Sequence, residues 1–183
     1  MVHVVAAIIA VGWAVFWIGW LLAAAGTKRG RINWGRAAGI RVVLAFVIVV
    51  LVRAKAFKGQ GITDDPALEG IGLALFVSGL ALAVWARVHL GRNWGSPMSE
   101  KVDPELVTTG PYGTIRHPIY SGIILAMVGT AVAVNWYWLI AVGLAATYFV
   151  YSASMEERYL VKRLPDSYPA YKRSTRMLVP FVF

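Results

Sequence analysis

The chain alternates between long apolar runs and short polar connections, and this pattern predicts a helical membrane protein. Residues 2–25 form an uncharged apolar run, long enough to cross the roughly 30 Å hydrocarbon core of a bilayer. Four more apolar runs follow, at residues 37–52, 68–90, 119–134 and 137–153. The pattern therefore predicts one all-α domain over residues 1–183, an integral membrane bundle of about five transmembrane helices.

The composition agrees with this pattern and excludes several kinds of site. Hydrophobic residues make up 58% of the chain and charged residues 15%, which is too little polar surface for a soluble domain of this size. The absence of cysteine excludes disulfides, thiolate zinc sites and cysteine nucleophiles, and three scattered histidines predict no metal site. In so apolar a chain, the net charge of +9 indicates cytoplasmic loops and contact with anionic headgroups, and no nucleic-acid partner.

The positions of lysine and arginine predict an orientation. With five spans and the N-terminus outside, three basic residues lie in outside segments: Arg53, Lys55 and Lys58. The remaining fifteen lie inside, from Lys28 to Arg176. Because basic residues collect on the cytoplasmic side, we expect the segment between the third and fourth spans to be cytoplasmic, together with the segment after the fifth. For a prokaryotic chain, the membrane would be the inner (plasma) membrane.

Two polar stretches interrupt the apolar second half of the chain. The first reads LVTTGPYGTIRHPIY at residues 106–120, and the second is the acidic pair Glu156-Glu157. The fourth and fifth spans lie between them and are separated only by a tight turn at Asn135-Trp136. So short a connection makes the two spans an antiparallel hairpin, which returns both polar stretches to one membrane face.

The residue types in these stretches suggest a site at the membrane boundary. Pro118 suits the first turn of a helix, so Arg116 and His117 would lie at its positive N-terminus, where carboxylates are attracted. Taken singly, each residue also has a structural interpretation, since such side chains are common at membrane interfaces. Taken together, ionisable groups of both signs beside an apolar bundle predict a functional site.

The same residues resemble a known family. Leu106-Val107-Thr108-Thr109-Gly110-Pro111-Tyr112, Arg116-His117-Pro118-Ile119-Tyr120 and Glu156-Glu157 are similar to motifs of the isoprenylcysteine carboxyl methyltransferases, integral membrane enzymes that use S-adenosylmethionine. The resemblance covers about half of the chain, and it implies a cytoplasmic cofactor site built from residues 104–120 and 152–180, with a C-terminal helix. The small number of spans is typical of the shorter prokaryotic relatives.

The resemblance also implies individual roles. Glu105, Leu106 and Val107 would contact the adenosine of S-adenosylmethionine, Tyr112 would close over it, and Glu156 would accept hydrogen bonds from it. The methionine part would be held by His117, Pro118, Ile119 and Tyr120. We add three candidates for the catalytic step from the residues themselves: Arg116 to orient the acceptor, His117 as a base, and Glu157 to support them.

The sequence leaves the methyl acceptor open. Transfer from a sulfonium is an in-line displacement that needs orientation and exclusion of water. An isoprenoid or prenyl-thioether carboxylate is already ionised and needs only a cation, for which Arg116 is the candidate. A small thiol, or a lipid amine or hydroxyl, needs a base, and His117 is the histidine in this segment. A lipophilic small molecule or a prenylated acceptor would each suit a membrane site, and the sequence leaves open whether the acceptor enters laterally from the bilayer.

Two other functions fit parts of the pattern. An NADPH-dependent membrane sterol or enone reductase would share an RHP-x-Y motif, but Glu156-Glu157, Leu164-Pro165 and Tyr168 favour the methyltransferase. A non-enzymatic scaffold or transporter subunit would explain the aromatic residues as interfacial belts. The spans have no charges near their centres and no paired breaks at glycine or proline, which argues against a transporter.

Overall fold

The computed structural model describes residues 2–24, 30–32, 63–94, 99–101 and 105–180. Five α-helices are found in these ranges: α1 (Val2–Ala24), α2 (Pro66–Leu90), α3 (Pro118–Ala133), α4 (Trp138–Arg163) and α5 (Tyr168–Ser174). Two three-residue strands, β1 (Gly30–Ile32) and β2 (Ser99–Lys101), pair antiparallel with Arg31 opposite Glu100. The second span predicted from the sequence, residues 37–52, lies outside the described residues.

The described helices form the all-α membrane bundle that the hydrophobic pattern predicts. The helices α1, α2 and α4 are long and apolar enough to cross a membrane, and α3 is a shorter apolar helix of 16 residues. The starts and ends of α1, α2 and α3 fall within two residues of the predicted spans. The residues at the start of α2 are typical of a helix N-terminus. The Asp65 side chain accepts a hydrogen bond from the Ala67 N–H, and Pro66 occupies the first turn.

The last long helix differs from the prediction. The sequence predicts a span that ends near Ala153, before the acidic pair, but α4 continues without a break to Arg163. Glu156 and Glu157 therefore project from a regular helix, and neither belongs to a loop. The apolar pattern marks where a helix leaves the hydrocarbon, whereas the backbone hydrogen bonds continue into the polar region.

Glycine allows α2 and α3 to pack backbone against backbone. Gly72 and Gly79 of α2 face Gly122 and Gly129 of α3, and a Cβ atom at any of the four would overlap atoms of the opposite helix. Small residues at such spacing are how membrane helices approach closely, because lipid provides no hydrophobic force that drives helices together. We call these four glycines the α2–α3 seam.

The hairpin between α3 and α4 turns at a buried asparagine. The Asn135 side-chain oxygen accepts a hydrogen bond from the Tyr137 N–H at 2.9 Å, and its carbonyl oxygen accepts one from the Trp138 N–H at 3.0 Å. Asn135 is 3% exposed. This is the tight turn that the sequence predicts, and it returns α4 beside α3.

The segment after α5 folds back onto the residues that precede α3. The backbone N–H of Arg116 donates to the Arg176 carbonyl oxygen at 2.7 Å, and that of His117 donates to the Met177 carbonyl oxygen at 3.0 Å. The Ser121 hydroxyl adds a bond of 2.5 Å to the Leu178 carbonyl oxygen. We call residues 175–178 the C-terminal strap, since they fix the start of α3 from the side.

Candidate active site

Arg116 and Glu157 are joined at the polar end of the α3–α4 hairpin. Arg116 Nε donates to Glu157 Oε1 at 2.6 Å, and Lys172 Nζ of α5 lies 2.6 Å from Glu157 Oε2. The Glu157 side chain is 2% exposed and that of Arg116 is 8% exposed. A buried carboxylate is stable here because two cations surround it. The hairpin thus brings the two polar stretches together, as the sequence predicts.

Arg116 also holds the C-terminal strap. Its Nη1 donates to the Thr175 carbonyl oxygen at 2.5 Å and to the Lys172 carbonyl oxygen at 3.1 Å. These bonds, with the ion pair to Glu157, connect the start of α3 to α4 and α5. The guanidinium therefore has a structural task that the sequence does not reveal.

His117 lies between the two glutamates. Its Nδ1 is 3.6 Å from Glu156 Oε2, and its Nε2 is 3.5 Å from Glu157 Oε1. The ring stacks on Tyr120, with the ring centres 5.4 Å apart and the planes within 5°. His117 is the N-cap residue of α3, but its side chain makes no capping hydrogen bond. Its ring is therefore oriented by Tyr120 and by the two carboxylates.

A hydroxyl pair holds Glu156. The Tyr120 hydroxyl donates to Glu156 Oε1 at 2.5 Å, and the Ser152 hydroxyl donates to the same oxygen at 3.1 Å. Ser152 is fully buried, whereas the Glu156 side chain is 25% exposed. One carboxylate oxygen is thus fixed by neutral donors, which restricts the orientation of the whole group.

Tyr112 is held where the chain turns towards α3. The Tyr171 hydroxyl of α5 donates to the Tyr112 carbonyl oxygen at 2.7 Å. Gly110 starts this turn with a φ of 59°, and a Cβ atom there would also meet the His89 ring. Burial raises the pKa of Tyr171 to about 12 and raises the pKa values of Tyr112 and Tyr168 further. All three phenols therefore stay protonated near neutral pH.

These residues surround a cavity of about 230 Å³, close to the lower end of the range for ligand pockets, roughly 300 Å³. The predicted site residues that line it are Glu105, Leu106, Val107, Tyr112, Arg116, His117, Ile119, Tyr120 and Glu156. Two predicted residues are not in the lining. Pro118 is fully buried at the first position of α3, and Glu157 lies behind Arg116 and His117.

Part of the cavity wall was not predicted from the sequence. Trp17 and Trp20 of α1, with Trp94 after α2 and Phe149 of α4, supply aromatic faces to the cavity. Aromatic residues at positions 13, 16, 17 and 20 follow a helical spacing, and this stripe is the signal that could have revealed them. The interpretation as interfacial belts does not account for Trp20, which is buried.

Arg87 connects this aromatic wall to the bundle. Its guanidinium carbon lies 4.6 Å from the centre of the Trp94 ring and 5.9 Å from that of Trp20, within the range of cation–π contacts. Its Nη2 donates to the Ala23 carbonyl oxygen of α1 at 3.0 Å. A basic residue at the exit of α2 therefore fixes the end of α1 beside the cavity.

Comparison with known proteins identifies the family. Residues 68–167 match the family model described as Phospholipid methyltransferase, which is more than half of the chain. The chain belongs to this family. The matched residues include most of α2 and all of α3 and α4, with every predicted site residue from Glu105 to Glu157.

Curated proteins with similar sequences carry several names. The nickel-cobalt-cadmium resistance protein NccN of Alcaligenes xylosoxydans xylosoxydans is 29% identical over 76% of this chain and 62% of its own length. A methanethiol S-methyltransferase of a Pseudomonas species is 32% identical over 64% of this chain and 48% of its own length. The chain thus spans about half to two thirds of these relatives.

The resemblance to isoprenylcysteine methyltransferases is confirmed. Protein-S-isoprenylcysteine O-methyltransferase B of Arabidopsis thaliana is 30% identical over 76% of this chain and 73% of its own length. A solved structure of the eukaryotic intramembrane Ras methyltransferase ICMT covers 82% of this chain and 55% of its own, with a TM-score of 0.56 and 24% identity. That structure supports the fold, and the plant relative supports the family.

Proposed function

We propose that the protein transfers a methyl group from S-adenosylmethionine to a lipophilic acceptor or a small thiol at the membrane boundary. The observation that carries this proposal is one cavity in which the Glu156 carboxylate, fixed by Tyr120, faces aromatic walls from α1 and α4. Membership of a methyltransferase family and the names of the relatives support the same reaction.

The residues around the cavity suit the proposed cofactor. A sulfonium cation is stabilised by carboxylates and by aromatic faces, and both kinds of group line the cavity. An adenine ring requires apolar neighbours with a few polar groups at its edge, and Leu106, Val107 and the ring of Tyr112 supply apolar surface in the cavity lining. Glu105 accepts a hydrogen bond from Asn93 at 2.8 Å and is thereby oriented at the rim.

The roles that we propose are those that the family resemblance implies. Glu105, Leu106 and Val107 contact the adenosine, and Tyr112 closes over it. The methionine part lies against His117, Ile119 and Tyr120, with Pro118 setting the start of α3 and Glu156 accepting hydrogen bonds. When bound, S-adenosylmethionine supplies a methyl carbon to the acceptor, and S-adenosylhomocysteine leaves with the electron pair of the broken C–S bond.

The chain's own contribution is orientation and exclusion of water. Aromatic side chains from α1, α3, α4 and α5 line the cavity. Tyr120 stacks between His117 and Phe149, with ring centres 5.4 and 4.6 Å away. Such a wall keeps the reacting groups dry and aligned, which is most of what a displacement at an activated methyl group requires. In this proposal Arg116 and Glu157 position His117 and the strap.

We also propose that the polar end of α4 faces the cytoplasm of a prokaryotic cell, in the inner membrane, with the N-terminus outside. Exposed basic residues around this end support that orientation: Arg158, Lys162, Arg163, Lys172, Arg173 and Arg176. The acceptor would then reach the cavity from the bilayer or from the cytoplasm.

Titration calorimetry of the detergent-purified protein with S-adenosylhomocysteine tests the proposal. We expect binding by the wild type, and loss of binding in Glu156→Ala, because the carboxylate that faces the ligand is removed. Asp166→Ala is the matched control: it also removes one negative charge, but Asp166 is exposed in the turn after α4. Radiolabelled methyl transfer should then disappear in Glu156→Ala and His117→Ala.

Two results would contradict the proposal. If a folded, monodisperse wild-type protein does not bind S-adenosylhomocysteine, S-adenosylmethionine is not its methyl donor. Wild-type turnover in both Glu156→Ala and His117→Ala would remove the assignment of the site, even if the cofactor binds elsewhere.

A further inference from the structure

One side of α4 is exposed along most of the helix. Ile140 and Tyr151 are 49% and 42% exposed, and Gly143 and Thr147 between them are exposed as well. Because an α-helix turns once in about 3.6 residues, a spacing of three to four residues places these positions on one side of α4. In a membrane span, such a side faces lipid. We call these four positions the lipid-facing stripe.

Two basic residues continue the lipid-facing stripe beyond the hydrocarbon. Arg158 follows Ile140 by about five full helical turns, and Lys162 follows Arg158 by about one more. Both side chains are exposed. The apolar run of α4 ends near Ala153, so both residues lie just past the hydrocarbon core, at the level where a bilayer places its phosphate groups.

Arg158 and Lys162 are like charges that stand side by side. Residues four apart on a helix have Cβ atoms about 5–6 Å apart, and two cations at this spacing destabilise the helix. An anion held between them removes the repulsion. A phosphate can accept two hydrogen bonds from the planar guanidinium and a further one from the ammonium, so the pair fits a single phosphodiester group.

The sequence around this pair has the character of a surface that contacts lipid headgroups. Residues 158–176 contain six lysine or arginine residues and one acidic residue, Asp166. Val161, next to Lys162, is 38% exposed and adds apolar surface beside the charges. Basic and apolar side chains exposed together favour the boundary between acyl chains and anionic headgroups.

We propose that Arg158 and Lys162 bind the phosphate of an anionic phospholipid in the leaflet that contains the polar end of the bundle. The net charge of the chain predicts contact with anionic headgroups in general, and the lipid-facing stripe gives that contact a place. The lipid is a ligand on the outer surface of α4. It is distinct from a methyl acceptor, since neither residue belongs to the cavity lining.

A lipid bound here sets the depth of the candidate active site in the bilayer. The residues of α4 that line the cavity lie between Phe149 and Leu160, which is about 16 Å of helix at 1.5 Å per residue. Arg158 is close to the polar end of this segment. A phosphate held by Arg158 therefore keeps the apolar part of the cavity at acyl-chain depth and its polar end at the headgroups.

Native mass spectrometry of the detergent-purified protein tests the lipid preference without turnover. The protein is titrated with phosphatidylglycerol or with phosphatidylcholine of identical acyl chains, and the lipid bound to the protein is measured at each concentration. A lysine or arginine near an anionic surface raises affinity by about fivefold. Because two such residues meet one headgroup, we expect the wild type to bind phosphatidylglycerol at least about tenfold more tightly than phosphatidylcholine.

Two double variants of equal net charge locate the preference. In Arg158→Gln with Lys162→Gln, we expect the preference for phosphatidylglycerol to fall to about twofold, because both cations at the phosphate are removed. Arg163→Gln with Arg173→Gln is the matched control: the Arg163 guanidinium carbon lies 5.5 Å from the Tyr159 ring centre, away from the stripe, and Arg173 belongs to α5. All four side chains are exposed, so the thermal midpoints should stay near that of the wild type.

Three results would overturn the proposal. Equal binding of the two lipids by the wild type would show that no anionic headgroup is preferred. An equal loss of preference in both double variants would show that net charge alone attracts the lipid. A wild-type preference in the variant without Arg158 and Lys162 would show that the phosphate is held elsewhere. None of these results affects the methyltransferase proposal, because the lipid titration contains no cofactor.

Discussion

Along the α2–α3 seam, backbone meets backbone through glycine, whereas at the polar end of the bundle long side chains reach across to carboxylates and carbonyl oxygens. The seam contains no charge, and its four glycines are placed so that any side chain would overlap the opposite helix. The polar end, by contrast, buries Glu157 between Arg116 and Lys172. The first region fixes the distance between helices, and the second fixes the direction of individual side chains.

The difference shows how a small bundle can hold a polar site beside lipid. Helices that approach through glycine leave little freedom for sliding, so the ends of α2 and α3 stay at a constant separation. Hydrogen bonds from Arg116 and Tyr120 can then keep Glu157 and Glu156 in place with few competing arrangements. Substitutions in each region should accordingly change different measured quantities.

The largest effect is expected for Glu157→Ala. Removing a carboxylate that is 2% exposed leaves Arg116 buried without its counter-charge, and breaking a buried pair in this way costs about 3–5 kcal/mol. We expect a large drop in the thermal midpoint of the detergent-solubilised protein. Lys172→Ala should cost far less, since this lysine is 46% exposed. An unchanged midpoint in Glu157→Ala would mean that Glu157 does not hold the polar end together.

A smaller effect is expected from Gly72→Ala at the seam. The new methyl group would overlap the Ala133 backbone nitrogen and the Gly129 carbonyl oxygen, and overpacking of this kind costs about 1–3 kcal/mol. Gly70→Ala is a matched control in the same helix, because a Cβ atom there meets nothing within 4 Å. We expect Gly70→Ala to leave the thermal midpoint unchanged or slightly raised. Equal thermal midpoints for the two variants would show that Gly72 does not pack closely against α3.

The smallest effect is expected for Tyr120→Phe. The substitution removes the 2.5 Å hydrogen bond to Glu156 but keeps the ring that stacks on His117. Because Glu156 keeps the hydrogen bond from Ser152, the net cost should be about 1 kcal/mol, so we expect binding of S-adenosylhomocysteine to weaken by about fivefold and the thermal midpoint to fall slightly. Tyr151→Phe, at an exposed position of α4, serves as the control. Unchanged affinity in Tyr120→Phe would mean that Glu156 needs no such support.

Much of this arrangement could be predicted from the sequence. Apolar runs of sufficient length gave α1, α2 and α3 to within two residues, because the bilayer imposes a minimum length on a span. The tight turn at Asn135 was enough to predict that the two polar stretches share one membrane face, because a short connection makes the two spans antiparallel. The direct contact between Arg116 and Glu157 is a finding of the structure. Both predictions depend on local pattern and on simple geometry.

Other features depend on contacts between distant parts of the chain. The strap pairs residues about sixty positions apart, and no periodicity marks Thr175 as the partner of Arg116. Arg116 was predicted to orient an acceptor, but its environment depends on how α5 returns to α3. The sequence predicted a span that ends near Ala153 but not the continuation of α4 to Arg163, because hydropathy reports the edge of the hydrocarbon while helix length depends on local hydrogen bonding.

The C-terminal strap also has a consequence for synthesis. Residues 175–178 follow all five described helices in sequence, yet they complete the hydrogen bonding of Arg116, His117 and Ser121. While a ribosome is still making α5, the earlier helices can already be inserted in the membrane, but the start of α3 lacks these partners. The last part of this end of the bundle to be translated therefore fixes the start of α3, and a chain released before Thr175 would lack the hydrogen bonds that hold Arg116 and His117.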